Sequence, residues 1–215
     1  MFPERRRSVI TAFQKANHEK KILPDWREFQ IIKFADTIDL LVGDLNERYQ
    51  AQRIDSLANT ARNLFEVYIW VQFCNMSGEN ARRFFEDGVR DIREIMESLQ
   101  KLYTSENQRP EDRLVETIHS LENAAAAHGI TDYGERYVQV RDAAKEVGKL
   151  DPFSLFYKVF SKFAHPTSLL LALDHRVGQL SEMLDALYVG GENGATHSLD
   201  EIEKFIRAVY PGCEF

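Results

Sequence analysis

The side chains best suited to chemistry lie in the stretch FYKVFSKFAHPTSLLLAL, from Phe156 to Leu173. Most of its residues are apolar, yet it holds two lysines, a serine and a histidine set directly before a proline: Lys158, Ser161, Lys162, His165 and Pro166. An imidazole exchanges protons near neutral pH, and ammonium groups bind phosphate. At about 100° per residue, the polar side chains fall on one narrow strip of a helix. A single element could therefore supply an anion-binding or acid–base strip.

His165 is expected at the end of that helix, because Pro166 disfavours helical geometry in the residue before it and can begin the next helix. The carbonyl end of a helix favours a protonated imidazole. Ser161 lies four residues earlier, so its hydroxyl can reach toward the ring from the preceding turn. The simpler interpretation is a solvated helix edge that His165 caps, since lone histidines are usually structural and short motifs match by chance.

A second pair of charged residues lies in the most apolar helix of the chain. Arg62 and Glu66 are four apart in ARNLFEVYIW and therefore share a helical face. A carboxylate buried there is costly unless it is paired, and Arg62 can be its partner. We expect an internal ion pair that sets the helix register. The alternative is that the pair faces His165 across the core and shifts its protonation.

The sequence offers no credible ligand set for a metal. Glu116 and His119, in ETIH, have the spacing found in carboxylate-bridged di-iron bundles, but the required second Glu-x-x-His is absent from the sequence. The sequence also lacks a glycine-rich phosphate loop, a nucleophile elbow and a Cys or His cluster with zinc spacing. We therefore predict that the protein uses neither a metal nor a cofactor.

Helical periodicity runs through the chain and no stretch alternates at period two, so the sequence predicts an all-α fold, a single helical bundle of about seven to eight helices. Residues 1–25 are expected to form an N-terminal arm or short helix, and residues 26–215 an all-helical domain. Asp25 is the expected N-cap of one helix, and Ile54–Met76 the central buried helix. The segment VGGENGAT is expected to be a flexible loop, followed by a capping box from Ser198 to Glu201 before the last helix.

The sequence predicts a helix that carries the polar strip and a second helix directly before it. A weaker helix from Glu135 to Val147, ended by Gly148, precedes the helix that carries the strip. The second helix is expected to be buried over more than half of its circumference, with Leu155 and Val159 extending its apolar side.

Composition narrows the class of protein. The 215 residues are 44% hydrophobic, enough for a substantial core. The net charge of -7 argues against bulk attraction to nucleic acid or to an anionic membrane, although a local basic patch is compatible with it. No apolar run is long enough to cross a bilayer, and the N-terminus lacks the apolar stretch of a signal peptide. Cys74 and Cys213 are expected to be reduced thiols, so we expect a cytoplasmic protein.

The residues singled out above resemble the pattern of a bacterial family of unknown function, the one numbered 5677. That pattern is Arg-x-x-x-Glu on a buried helix, then Ala-x-x-x-Gly, then Tyr-basic-x-x-Ser-x-x-x-His-Pro. Its members in this chain are Arg62, Glu66, Ala144, Gly148, Tyr157, Lys158, Ser161, His165 and Pro166. The resemblance covers residues 30 to 190, and the Ser, His and Pro spacing is its most specific part. The family has no firm activity to carry over.

The same segment resembles a degenerate form of the motif in the HEPN (higher eukaryotes and prokaryotes nucleotide-binding) superfamily. Those helical domains, where they are ribonucleases, place an arginine a short distance before a histidine on one helix, and Lys158 stands in that position relative to His165. Lysine keeps a cation for phosphate but lacks the bidentate guanidinium, which favours phosphate or nucleotide binding over cleavage. The resemblance implies RNA or another phosphate-bearing ligand as the partner, a homodimer, and a role in stress or phage defence.

Two functions are left open. In the first, a HEPN-like, RNA-directed protein uses His165 as general acid or base and contacts phosphate through Lys158 and Lys162, and any catalysis is a metal-independent, ribonuclease-like reaction. In the second, the chain is a non-catalytic interaction or regulatory domain whose fold is specified by a buried polar network: Arg62, Glu66, Ser161 and His165. Exposure of Lys158 and His165 distinguishes the two.

Overall fold

The computed structural model describes residues 2–105, 112–127, 129, 138–164 and 181–214, and these residues form eight α-helices and no strand. The helices are α1 (Phe2–Lys20), α2 (Asp25–Gln50), α3 (Ile54–Met76), α4 (Gly78–Ser105), α5 (Asp112–Ala127), α6 (Val140–Glu146), α7 (Leu150–Ala164) and α8 (Ser181–Val209). The prediction of an all-α helical fold is confirmed. None of the described helices combines the length and hydropathy that a membrane span requires.

The chain forms two compact units, one of Met1–Ser77 with Gln139–Phe215 and one of Gly78–Val138. In the smaller unit α4 packs against α5, where Val89 and Ala125 are buried and Phe85 packs on them. The larger unit contains α1, α2, α3, α6, α7 and α8. Among the candidate site residues that the structure describes, Arg62, Glu66, Lys158 and Ser161 belong to the larger unit.

Helix α3 is the centre of the larger unit. It packs against α2, α6, α7 and α8. Leu57, Leu64 and Ile69 on this helix are fully buried, and removing each such side chain from water contributes about 1.5–3 kcal/mol to stability. The prediction of a central helix over Ile54–Met76 is confirmed at both ends.

Helix α8 runs without interruption through VGGENGAT, so the prediction of a flexible loop there is wrong. Two glycines of this segment lie where α8 packs closely against neighbouring helices. A Cβ on Gly191 would lie 2.7 Å from Cδ1 of Leu45, and a Cβ on Gly194 would lie 3.2 Å from the backbone carbon of Leu64. Both distances are too short for ordinary packing, so glycine is what allows α8 to approach α2 and α3 this closely.

Two predictions about helix caps are also wrong. Ser198 lies inside α8, where its buried hydroxyl donates to the carbonyl oxygen of Gly194 at 2.7 Å. Serine makes this bond to the preceding turn when it lies within a helix, so it caps nothing here. Asp25 is the first residue of α2, Pro24 takes the N-cap position, and the cap makes no side-chain hydrogen bond.

Residues 2–20, within the segment expected to be an arm or short helix, form α1, which packs on α2 and α8. Phe13 is fully buried in this contact. Asn17, also fully buried, accepts a hydrogen bond from the hydroxyl of Tyr210 and donates one to Glu28. Buried polar groups require such partners, so this network ties α1 to α2 and to the chain beyond α8.

Candidate functional site

The Arg62–Glu66 ion pair predicted from the sequence is present on α3. The Nε of Arg62 donates to Oε1 of Glu66 at 2.8 Å. The two side chains are 21% and 23% exposed, so the expectation of a carboxylate sealed in the core is wrong. The reason is that α3, although largely apolar, leaves one flank open to solvent, and the pair lies on that flank.

Tyr157 joins this pair to α7. The guanidinium carbon of Arg62 lies 4.3 Å from the centroid of the Tyr157 ring, a cation–π contact. A planar guanidinium can stack on a ring while its edge still donates to a carboxylate. Tyr157 is 39% exposed. The structure thus brings the Arg-x-x-x-Glu pair beside the segment that begins the Tyr-Lys-x-x-Ser pattern.

A row of aromatic side chains holds α7 against α3. The ring centroids of Phe65 and Phe156 lie 4.7 Å apart, and those of Phe153 and Tyr157 lie 5.5 Å apart. Phe153 and Phe160 are buried. Such offset and tilted ring pairs add stability beyond the area they bury. Since Tyr157 belongs to this row, packing fixes the ring on which Arg62 lies.

The buried face of α7 is narrower than the sequence predicted. Leu155 is 63% exposed and Val159 is 42% exposed, so neither extends the apolar side into the core. Helix α7 packs along one side, on α3 and α6, and its Phe160 lies close to Gly190 of α8, whereas the side that carries Val159 is exposed. The exposed side combines Leu155 and Val159 with the lysines of the polar strip.

The polar strip lies beside Tyr157. Lys158 and Lys162 are exposed, and Ser161 is half-buried with its hydroxyl donating to the carbonyl oxygen of Lys158 at 3.2 Å. Ser161 is one turn beyond Tyr157, which places it on the same flank of α7. His165 lies outside the described residues, so its approach to Ser161 stays a prediction. We call Arg62, Glu66, Tyr157, Lys158 and Ser161 the motif cluster.

Ala144 and Gly148 build the corner between α6 and α7. Gly148 has φ = 70°, a conformation that favours glycine. The N–H of Lys149 donates to the carbonyl oxygen of Ala144 at 2.7 Å, and the N–H of Gly148 donates to that of Lys145 at 3.1 Å. These two bonds form a Schellman motif, the usual glycine ending of a helix. The prediction that Gly148 ends its helix is confirmed. The predicted start is wrong, because Val138 and Gln139 are not helical and Gln139 is the extended N-cap of a helix that begins at Val140. Residues Glu135 to Tyr137 of the expected helix lie outside the described residues.

The remaining candidates are Glu116, His119 and the two cysteines. Glu116 and His119 are exposed on α5, in the smaller unit. Among the residues that the structure describes, no three His, Cys, Asp or Glu side chains are grouped as metal ligands. Cys74 is buried and Cys213 half-buried, and both are free thiols.

A model of the family of unknown function DUF5677 matches residues 30–182, more than half of the chain. This chain belongs to that family. A search of curated proteins and a search of solved structures each gave no significant match. The family region contains the whole motif cluster and the α6–α7 corner.

Within the DUF5677 region, the pattern residues do two different things. Ala144 and Gly148 shape the backbone, whereas Arg62, Glu66 and Tyr157 meet at the surface. The sequence alone assigns Tyr157 no chemical role, although Tyr157 precedes Ser161 by four residues and so begins the same strip. The four-residue spacing from Ser161 is the sequence feature that could identify Tyr157 as a site residue. Without it, a tyrosine at the edge of a row of aromatic residues has the same sequence pattern as a core residue.

Proposed function

We propose that the motif cluster binds a phosphate-bearing ligand, and that this ligand is RNA. The observation that supports the proposal is the contact between Arg62 and Tyr157, because it places a guanidinium against a partly exposed ring, and the exposed Lys158 follows that ring directly in α7. Arginine and lysine are the usual partners of phosphate, and nucleotide bases stack on aromatic rings. With a net charge of -7, binding depends on this local arrangement of cations.

Each residue of the cluster has a distinct role in this proposal. Glu66 accepts the Nε–H of Arg62 and so holds the guanidinium over the ring of Tyr157. The terminal N–H groups of Arg62 then donate to a phosphate oxygen, since arginine has five N–H donors and Glu66 accepts only the one on Nε. Lys158, with Lys162 one turn further on, adds positive charge along the path of a nucleic-acid backbone.

The finer proposal is a HEPN-like protein of bacterial stress or phage defence, cytoplasmic and homodimeric. In it, His165 is the general acid or base, and any cleavage of RNA is a metal-independent, ribonuclease-like reaction. The motif cluster supports the binding part of this proposal through its cations and its ring. The catalytic part rests on the resemblance of the Lys158–His165 segment to the superfamily motif.

Binding is tested by titrating a labelled short RNA oligonucleotide at fixed low salt, from about pH 5.5 to about pH 8, the range in which an imidazole changes charge. We expect wild-type affinity to rise as the pH falls, and His165→Ala to lose that rise. The double variant Lys158→Ala/Lys162→Ala should bind about tenfold more weakly, because it removes two phosphate contacts. The control Lys33→Ala removes a similarly exposed charge from α2 and should bind as wild type does. Absence of binding, or identical pH profiles, would refute the proposal.

Cleavage is tested separately. Wild type and His165→Ala are incubated with mixed cellular RNA, with and without a chelator. Degradation by wild type alone, unaffected by the chelator, is the result expected of a metal-independent catalyst that uses His165. Equal degradation by both proteins would show that His165 is not the catalyst.

A second candidate function is a non-catalytic interaction or regulatory domain. It is favoured by the internal hydrogen bonds of the cluster, since Arg62 donates to Glu66 and Ser161 donates to the carbonyl oxygen of Lys158. Polar groups satisfied in this way specify a fold without contacting a ligand. In that case Glu66→Gln and Ser161→Ala lower the unfolding midpoint while RNA affinity is absent or unchanged.

A further inference from the structure

Helix α4 of the smaller unit carries a row of exposed aliphatic side chains. Four of them follow one another at steps of three, four and three residues, each between 36% and 56% exposed: Ile92, Ile95, Leu99 and Leu102. At about 100° per residue, the four side chains fall within about 80° of the helix circumference. Val89, which lies in the buried contact with α5, points about 100° away from the middle of this arc. We call these four residues the α4 stripe.

The spacing of the α4 stripe is that of a helix-packing seam. Steps of three and four residues are the a and d positions of a heptad, which pack against a second helix. The described helices of the smaller unit are α4 and α5, and the contact with α5 uses a different side of α4. A contiguous apolar surface that stays exposed marks a site of association. The α4 stripe therefore needs a further helix to cover it.

The polar side of α4 restricts what that occupant can be. The Nε of Arg82 donates to Oε1 of Glu86, and the Nε of Arg93 donates to Oε1 of Glu97, each at 2.8 Å. Acidic and basic side chains are interspersed along the helix, so α4 carries no excess of positive charge. It therefore has no electrostatic attraction for an anionic membrane or for nucleic acid. A protein surface with an apolar stripe of its own is the occupant that fits.

The α4 stripe is symmetric about the position of Glu97. Ile92 and Leu102 lie five residues to either side of that position, and Ile95 and Leu99 lie two residues to either side. A second copy in the antiparallel direction, with a two-fold axis level with Glu97, sets Ile92 against Leu102 and Ile95 against Leu99 at every contact. The stripe is thus complementary to itself, a property that packing against an unrelated helix does not require.

The charges beside the stripe favour the antiparallel direction. On the helical wheel, Asp91 and Glu94 lie beyond the edge of the stripe that is farther from Val89. Parallel pairing would bring each carboxylate level with its own copy, and like charges opposite each other are unfavourable. In the antiparallel pair the two copies of Asp91 are about 18 Å apart along the axis, at 1.5 Å per residue. Glu94 comes within one residue of the level of Lys101 in the second copy, so opposite charges adjoin at the rim.

We propose that the α4 stripe is the contact surface between two copies of this chain, packed antiparallel through α4. The two α4–α5 pairs then form a four-helix arrangement in which both stripes are covered. The homodimer included in the proposed function has no surface assigned to it. The α4 stripe supplies that surface from the smaller unit, outside the motif cluster, and does not depend on RNA binding.

The mass of the full chain in solution, without RNA, is measured by sedimentation equilibrium. We expect a concentration-dependent dimer for wild type. Ile95→Asp places a carboxylate at both Ile95–Leu99 contacts and should weaken the dimer about a hundredfold. Its circular dichroism should match that of wild type, because Ile95 is exposed within one chain. The control Leu40→Asp changes an exposed leucine of α2 in the same way and should leave the dimer intact.

The antiparallel direction is tested by cross-linking with a short bismaleimide in a Cys213→Ser background, in which the remaining native thiol, Cys74, is buried. Ser98 is one residue from the two-fold axis, on the side away from Val89, so the two copies of Ser98→Cys should be linked efficiently. The control Glu97→Cys lies about 180° from the middle of the stripe and should not be linked.

The outcomes separate this surface from the other proposals. A monomer at every concentration, a dimer that Ile95→Asp leaves intact, or equal cross-linking of Ser98→Cys and Glu97→Cys would overturn the assignment. A dimer that persists in Ile95→Asp would place the interface elsewhere. Because RNA is absent from these measurements, failure of the motif cluster to bind RNA would not change their result.

Discussion

Replacing glycine by alanine tests the packing of α8 on α2 and α3. Inside a helix, glycine is less favourable than alanine by about 1 kcal/mol, so alanine stabilises wherever its methyl group has room. Gly43 of α2 is such a position, since nothing lies within 4 Å of the added Cβ. We expect Gly43→Ala to raise the free energy of unfolding by about 1 kcal/mol.

The same substitution at Gly191 should have the opposite sign. The new Cβ would lie 2.7 and 2.9 Å from the two methyl groups of Leu45 and 3.3 Å from Cα of Ala61. Leu45 is fully buried, so its methyl groups cannot move into solvent. Overpacking of this kind costs about 1–3 kcal/mol. Subtracting the gain in helix propensity of about 1 kcal/mol leaves a loss of about 1 kcal/mol at the middle of that range.

Gly194 and Gly190 complete the series. At Gly194 the nearest atoms are the carbonyl carbon and oxygen of Leu64, at 3.2 and 3.3 Å, so the backbone of α3 itself would have to yield and we expect a loss. At Gly190 the nearest atom is Cζ of Phe160 at 3.4 Å, an ordinary contact, so alanine should be neutral or slightly stabilising. The same glycine-to-alanine change is therefore expected to raise the free energy of unfolding at some of the four positions and to lower it at others.

Urea unfolding followed by tryptophan fluorescence measures the series. The chain has two tryptophans, Trp26 on α2 and Trp70 on α3, and both report on the larger unit. The expected gap between Gly43→Ala and Gly191→Ala is about 2 kcal/mol, the sum of the gain and the loss. If Gly191→Ala and Gly194→Ala unfold at or above the wild-type midpoint, α8 does not pack through these glycines. A flexible loop would make the three α8 variants equal.

Three further predictions concern single side chains. Glu66→Ala should lower the free energy of unfolding by only about 1 kcal/mol, because its side chain is 23% exposed and solvent screens the pair; a loss above about 3 kcal/mol in urea would show a sealed pair. Iodoacetamide should label Cys213 of the native protein before Cys74, because burial raises the pKa of the Cys74 thiol and the thiolate is the nucleophile; mass spectrometry that finds the reverse order would contradict this. Burial and its hydrogen bond to Glu192 raise the pKa of Tyr188 to about 12. A tyrosine in the unfolded chain titrates near pH 10, so the native state favours the protonated phenol of Tyr188 more than the unfolded state does. The stability that results is fully present below about pH 10 and is lost as the pH rises toward about 12. Urea midpoints across that range should fall more steeply for wild type than for Tyr188→Phe, and equal slopes would refute the assignment.

The features that the sequence predicted correctly depend on local geometry. The bounds of α3 follow from its dense apolar run and from the Ser77–Gly78 break after it. The Arg62–Glu66 pair follows from the four-residue repeat of a helix, which brings the two side chains together wherever that helix packs. The ending at Gly148 follows from the positive φ that glycine adopts readily. These outcomes need only the neighbouring residues, so they can be inferred before the fold is known.

Only the tertiary structure decided how remote segments meet. Gly191 and Gly194 predict a loop because each lowers helix propensity, yet α8 continues through them because close packing on α2 and α3 outweighs that local penalty. Leu155 has the pattern of a buried residue but is exposed, because α7 has neighbours along one side. The contact of Arg62 with Tyr157 joins helices far apart in the chain. Helix period and caps are properties of a short segment, whereas these three outcomes depend on which surfaces pack together, and that is set by the fold as a whole.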